Sequence, residues 1–108
     1  MASGNRWIVT DQHGNSIYLT EERWEHIIEP INHPEMAKFE EELKDTIRLG
    51  QRKQDPSNPQ KYRYSMAFDN LAEYNTHIIA IVLYRFREQA AEIIPNNYIV
   101  TAYQKEIG

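Results

Sequence analysis

The sequence predicts an α+β domain: an N-terminal hairpin and two helices packed on an antiparallel sheet of about four strands. Three observations lead there. An apolar period of three to four runs from Trp24 to Ile47, a period of two begins at Lys61, and the later strands are joined by segments too short to hold crossover helices. With 108 residues, a single domain spanning 1–108 is expected, since domains ordinarily hold ~100–200 residues. Apolar residues make up 41% and charged residues 26%, a globular balance that excludes a disordered or fibrous chain.

In chain order, Arg6–Thr10 and Ser16–Leu19 are short runs rich in Trp, Ile, Val and Tyr. They flank Asp11-Gln12-His13-Gly14-Asn15 and read as a hairpin about a glycine turn. Thr20 suits an N-cap, with Glu21 and Glu22 in the first turn where the helix dipole favours negative charge. Trp24, Ile27, Ile28 and Ile31 then form one helical stripe that Pro30 must end or kink near Glu29. His33-Pro34-Glu35 restarts a helix, whose stripe is Met36, Phe39, Leu43 and Ile47 and whose end is Gly50. Glu40, Glu41, Glu42 and Asp45 fall mostly off that stripe, as a solvated face.

The segment 51–60, QRKQDPSNPQ, holds two prolines and almost no apolar side chains, and reads as a loop. From Lys61 a one-sided strand sets Tyr62, Tyr64, Met66 and Phe68 on one face and Lys61, Arg63, Ser65 and Ala67 on the other. Thr76–Phe86 is nearly all apolar and β-branched, as a central strand would be. Pro95-Asn96-Asn97 reads as a turn into a last strand, Tyr98–Tyr103, with Ile99, Thr101 and Tyr103 on one face.

Twelve Lys and Arg against sixteen Asp and Glu give a net charge of −4, which argues against a surface that embraces nucleic acid all round. The charge is uneven. Residues 1–50 hold five basic and ten acidic side chains, whereas 51–108 hold seven and six, so if a polyanion binds anywhere the later half is the better candidate, through Arg52, Lys53, Lys61, Arg63, Arg85 and Arg87. Cys is absent, which excludes disulfides, thiol nucleophiles and thiolate metal sites. The N-terminus lacks the apolar run of a signal peptide, and the longest apolar stretch, Ile78–Tyr84, is far short of the ~20 residues of a membrane span. A cytoplasmic protein with no membrane partner is expected.

Metal-ligand spacing is missing, no Gly-x-Ser-x-Gly context surrounds a serine, and four scattered glycines make no phosphate-cradling loop, so no metal and no cofactor is expected. What remains is acid/base chemistry by His with Arg, Lys and hydroxyl support. Ribonucleotide transesterification suits that set, because the substrate's own 2′-OH is the nucleophile. His26 points away from the centre of the Trp24–Ile31 stripe and is expected to be accessible.

Three segments then carry a family likeness: Leu19-Thr20-Glu21-Glu22-Arg23-Trp24-Glu25-His26-Ile27, His33-Pro34-Glu35-Met36, and Ile99-Val100-Thr101-Ala102-Tyr103. With the strands between them, they resemble the small phage and bacterial nuclease-like domains grouped with barnase, EndoU, the tRNA-cleaving colicins and RelE, over Ile17–Ile107. The resemblance implies helices packed on a four-stranded sheet, RNA (tRNA among it) bound across the exposed sheet face, a toxin or phage-related effector role, and a cognate inhibitor protein as partner. It places a general acid/base at His26, a phosphate and transition-state stabiliser at Arg63, and hydroxyl donors at Thr101 and Tyr103. His33, Lys61, Tyr64 and Arg85 become substrate contacts.

Simpler readings stand beside these. His33-Pro34-Glu35 is sufficient as helix punctuation, Tyr62 and Tyr64 share a face with Met66 and Phe68 as core residues would, and the segment between His26 and His33 is longer than the pattern. The alternative function is a catalytically inactive RNA- or protein-binding module of the same fold.

Overall fold

The computed structural model describes residues 4–107. Six strands and two α-helices follow the order β1 (Asn5–Thr10), β2 (Ser16–Thr20), α1 (Glu21–Ile27), a 3-10 helix (Pro34–Lys38), α2 (Glu40–Leu49), β3 (Gln51–Asp55), β4 (Asn58–Ala67), β5 (His77–Gln89) and β6 (Glu92–Lys105). The strands form one sheet in the order β1-β2-β6-β5-β4-β3. The α+β class holds, but the sheet has six strands rather than about four, and it is mixed. The hairpin extends the sheet instead of packing on it, and β2 runs parallel to β6 through Ile17↔Asn97 and Tyr18↔Tyr98. Short connections govern only consecutive strands, whereas β2 and β6 are separated by both helices and three strands, which leaves room for a parallel pairing.

Both helices lie on one face. Trp24 and Ile27 of α1, Met36, and Leu43 and Ile47 of α2 join Val9, Ile17, Leu19, Tyr64, Ile78, Ala80, Val82, Ile99 and Ala102 in one core. α1 starts where Thr20 Oγ1 accepts from Arg23 N–H at 3.0 Å. Pro30 stops it early, so Ile31, expected in the stripe, lies 87% exposed. The second helix is also divided: Pro34–Lys38 winds as 3-10, and the chain breaks at Phe39 before α2 begins. Gly50 caps α2 in extended backbone, and no larger residue fits there, because a Cβ would stand 2.4 Å from the Thr46 carbonyl oxygen and 2.6 Å from that of Ser65.

Three further expectations are corrected. Gln51–Asp55 is a strand, not a loop. It is polar because it is the solvated edge of the sheet, and Asp55 turns it into β4 by accepting from Ser57 N–H, Ser57 Oγ and Asn58 N–H. The turn before β6 falls at Ala90-Ala91, both with positive φ (51° and 66°), not at Pro95-Asn96-Asn97. Pro95 sits inside β6, tolerated where β2 no longer pairs with it. Finally, a bulge separates the faces of β6: Ile81 pairs with Thr101 but Val82 pairs with Ile99, leaving Val100 without an opposite residue. Ile99 and Ala102 therefore enter the core, while Thr101 and Tyr103 turn to the other side with Tyr98.

No helix among the described residues is long and apolar enough to cross a membrane.

Candidate nucleic-acid interface

The sheet face away from the helices is built by the strand period of two. Register places Lys53, Arg63, Ile81 and Thr101 in one row across β3, β4, β5 and β6. The next row in one direction holds Gln51, Ser65, Ile79 and Tyr103. The next in the other holds Lys61, Leu83, Tyr98 and Tyr18, with Ile8 beyond. Arg85 and Arg87 continue the same face of β5, and Lys105 lies opposite His77 at the far end.

The charge split of the sequence thus becomes a split between faces. Nine of the sixteen acidic residues lie between Glu21 and Asp45, in the helical layer and its connections. Six cations share the open face: Lys53, Lys61, Arg63, Arg85, Arg87 and Lys105. Elsewhere cations are mostly neutralised: Arg6 by Glu21 and Glu40, Lys44 by Glu41, Arg48 by Asp45, and Arg52 beside Asp11 at 4.0 Å. Of the six open-face cations only Lys61 has a carboxylate partner, Asp55 at 3.8 Å; among the described residues the other five have none within 4.0 Å. Lys53, Lys61, Arg63 and Lys105 line a groove of about 460 Å³ with Asp55 and Ile81. These cations gather on one side of a chain whose net charge is −4.

The residues singled out from the sequence divide accordingly. Arg63 and Thr101 share a row, Lys61 adjoins it, and Arg85 extends it. Tyr103 stands one row further, and the His33 ring lies against it, 5.5 Å between centroids. His33 Nδ1 is 3.8 Å from Glu35 Oε2. His26 is not among them: it sits on α1 with its side chain 59% exposed and Nδ1 2.8 Å from Glu29 Oε1. Tyr64 cannot touch substrate, a correction to its expected role. It is on the helix-side face and 1% exposed, because the residue beside Arg63 in a strand must point the opposite way.

Tyr64 belongs instead to a buried cluster that the sequence did not reveal. The fully enclosed Asp11 carboxylate accepts from the backbone N–H groups of His13 and Asn15 (2.9 Å each), from Tyr64 Oη at 2.5 Å and from Tyr84 Oη at 3.2 Å. The two tyrosine hydroxyls also bond to each other, and Arg52 donates to Tyr84 Oη at 3.3 Å while stacking 4.9 Å over the Tyr62 ring. Burial pushes the Tyr64 and Tyr84 phenols up, and for Tyr64 the Asp11 carboxylate adds to this. Burial alone would raise Asp11, but the Tyr64 hydroxyl and the Asn15 and His13 donors outweigh it and hold the carboxyl below its ordinary value. The cluster ties the β1–β2 turn to β4 and β5.

That tether brings His13 to a second cleft of about 450 Å³, beside Arg52, Lys53, Arg63 and Ser65. Nothing in the spacing of a hairpin turn marks such a histidine. Lys53 was legible as a cation but not as a row partner of Arg63, and Lys105 gained its place only from the length of β6. Among the described residues no three His, Asp or Glu side chains converge as a metal-binding group.

No protein-family model matches the chain, and no match was found among curated proteins or solved structures.

Proposed function

We propose that this domain binds RNA across the open sheet face and acts on it as a metal-independent endoribonuclease. The observation that carries the reading is the gathering of six cations on that face, two of them, Lys53 and Arg63, in the same row as the Thr101 hydroxyl. Phosphate contacts of this kind supply affinity without reading sequence. In the reaction, a base takes the proton of a ribose 2′-OH and that oxygen attacks phosphorus. The P–O5′ bond breaks, and an acid protonates the departing O5′, leaving a 2′,3′-cyclic phosphate.

Arg63 and Lys53 are placed to neutralise the charge that develops on the phosphoryl oxygens, and Thr101 to donate to one of them. The acid/base work falls to His33 rather than His26, since the His33 ring touches Tyr103, a residue of the open face, whereas His26 is held by Glu29 on α1. The family resemblance of the three motif segments supports the same reaction class.

A second reading, a binding module without catalysis, is favoured by one fact: no histidine lines the cationic groove itself. Incubating total RNA and tRNA with wild type, His33→Ala and His26→Ala protein in the presence of a chelator separates the readings. Cleavage lost in His33→Ala and kept in His26→Ala supports the assignment. Loss only in His26→Ala moves the acid/base to the helix, and intact RNA with all three leaves the binding module.

A further inference from the structure

Pairing of β4 with β5 ends at Leu83, and pairing of β2 with β6 begins at Asn97. Residues 85–89 and 92–96 therefore leave the sheet as a free two-stranded ribbon, closed by Ala90 and Ala91. Such a ribbon is only marginally stable alone in water. Its open-face side bears Arg85 opposite Asn96 and Arg87 opposite Ile94, both arginines exposed and, among the described residues, without a carboxylate within 4.0 Å. The only carboxylate on that side of the ribbon is Glu92, at its tip opposite Gln89.

From the Arg63–Ile81 row outward, each successive same-face row carries a cation: Lys61 on β4 beside Leu83, then Arg85 and Arg87 on β5. Same-face positions recur about every 6.6 Å, so the row of Ile81 and that of Arg87 are about 20 Å apart. Between them the Tyr98 and Tyr18 rings, 5.9 Å apart, lie beside Leu83, and Tyr18 is fixed by donating its hydroxyl to Asn96 at 2.8 Å. A cationic line interleaved with aromatic rings is the surface that a single strand of nucleic acid tracks, phosphates on the cations and bases on the rings.

We infer that the β5–β6 ribbon is a second RNA contact, an arm that holds single-stranded RNA beyond the groove through Arg85 and Arg87. The inference rests on the proposed RNA-binding face and adds to it a site size. At ~3.4 Å per stacked nucleotide, 20 Å corresponds to about six nucleotides between the groove row and Arg87, so the preferred ligand is longer than the groove alone requires.

The test measures binding of labelled 2′-O-methyl oligouridylates of four and twelve nucleotides, which lack the nucleophile and stay intact. Wild type is compared with Arg85→Gln/Arg87→Gln and with Arg85→Lys/Arg87→Lys, each checked for an unchanged thermal transition. Wild type should prefer the dodecamer by about tenfold or more. The Gln pair should lose most of that preference and lower the salt slope for the dodecamer by about 1.4, two contacts at ~0.7 each, and the Lys pair should restore both. A preference for length that survives in the Gln pair, or no such preference in wild type, overturns the arm and leaves the RNA-binding face standing. No binding of either oligomer by wild type at low salt overturns both.

Discussion

Arg63 and Thr101 are both register partners of Ile81, one from each side, so a guanidinium and a hydroxyl face the same solvent from strands two apart. Two inter-strand steps are about 10 Å between backbones, a span that a long arginine side chain shortens to the size of one phosphodiester. If Thr101 donates to the phosphoryl oxygen in the transition state, Thr101→Val, which keeps the shape, should leave RNA affinity within about twofold and slow cleavage by about 10²-fold. Single-turnover kinetics with saturating protein measure this. An unchanged rate would remove Thr101 from the site.

The Asp11 cluster makes a stability prediction. Asp11→Asn loses the charge to which two tyrosines and two backbone N–H groups are pointed, at a cost of about 3 kcal/mol in urea unfolding at pH 7. The pH sign follows from the lowered carboxyl. Its contribution is complete above the unfolded value of ~3.9 and is lost as pH falls through the lower folded value. Wild type should therefore lose more stability than Asp11→Asn below about pH 4, and equal losses would show that Asp11 is not held ionised.

Gly50 is fixed by sterics rather than by its dihedrals. A methyl group would meet two carbonyl oxygens of α2 and β4, so Gly50→Ala should destabilise by about 1–3 kcal/mol and lower the thermal midpoint by several degrees. A neutral substitution would mean that α2 can move away from β4.

Ala90 and Ala91 carry a turn whose backbone suits Asn-Gly. Replacing them by Asn and Gly should stabilise by about 1 kcal/mol, read as a raised denaturation midpoint, since a left-handed alanine costs roughly 1–2 kcal/mol. A lowered midpoint would contradict the positive φ values.

The same turn marks where sequence reasoning stops. Ala-Ala carries no hairpin signature, whereas Pro95-Asn96-Asn97 carries a strong turn signature that the unpaired edge of β6 overrides. The periodic elements were legible: the Trp24 and Ile27 face, the Met36-Leu43-Ile47 face, and the alternation that puts Arg63 and Tyr64 on opposite sides of β4. Gln51–Asp55 was hidden because an edge strand has no need of apolar residues. The faces of Thr101 and Tyr103 were hidden because one bulged residue, Val100, reverses the alternation, and a bulge depends on its partner strand. Arg63, Lys61 and Arg85 could be chosen from the sequence as cations, but their convergence with Lys53 and Lys105 on one side of a net acidic protein depends on register. The Asp11–Tyr64 bond, across 53 residues, has no local signal at all.

The most direct test of the central claim is the salt dependence of RNA binding by wild type, by Lys53→Gln/Arg63→Gln, and by Arg48→Gln, whose arginine is paired with Asp45 on the helix side. Wild type should bind single-stranded RNA with a clear negative salt slope. Lys53→Gln/Arg63→Gln should weaken binding and make the slope shallower by about 1.4, and Arg48→Gln should match wild type. Equal binding by wild type and the Lys53/Arg63 variant, or none by wild type at low salt, would contradict it.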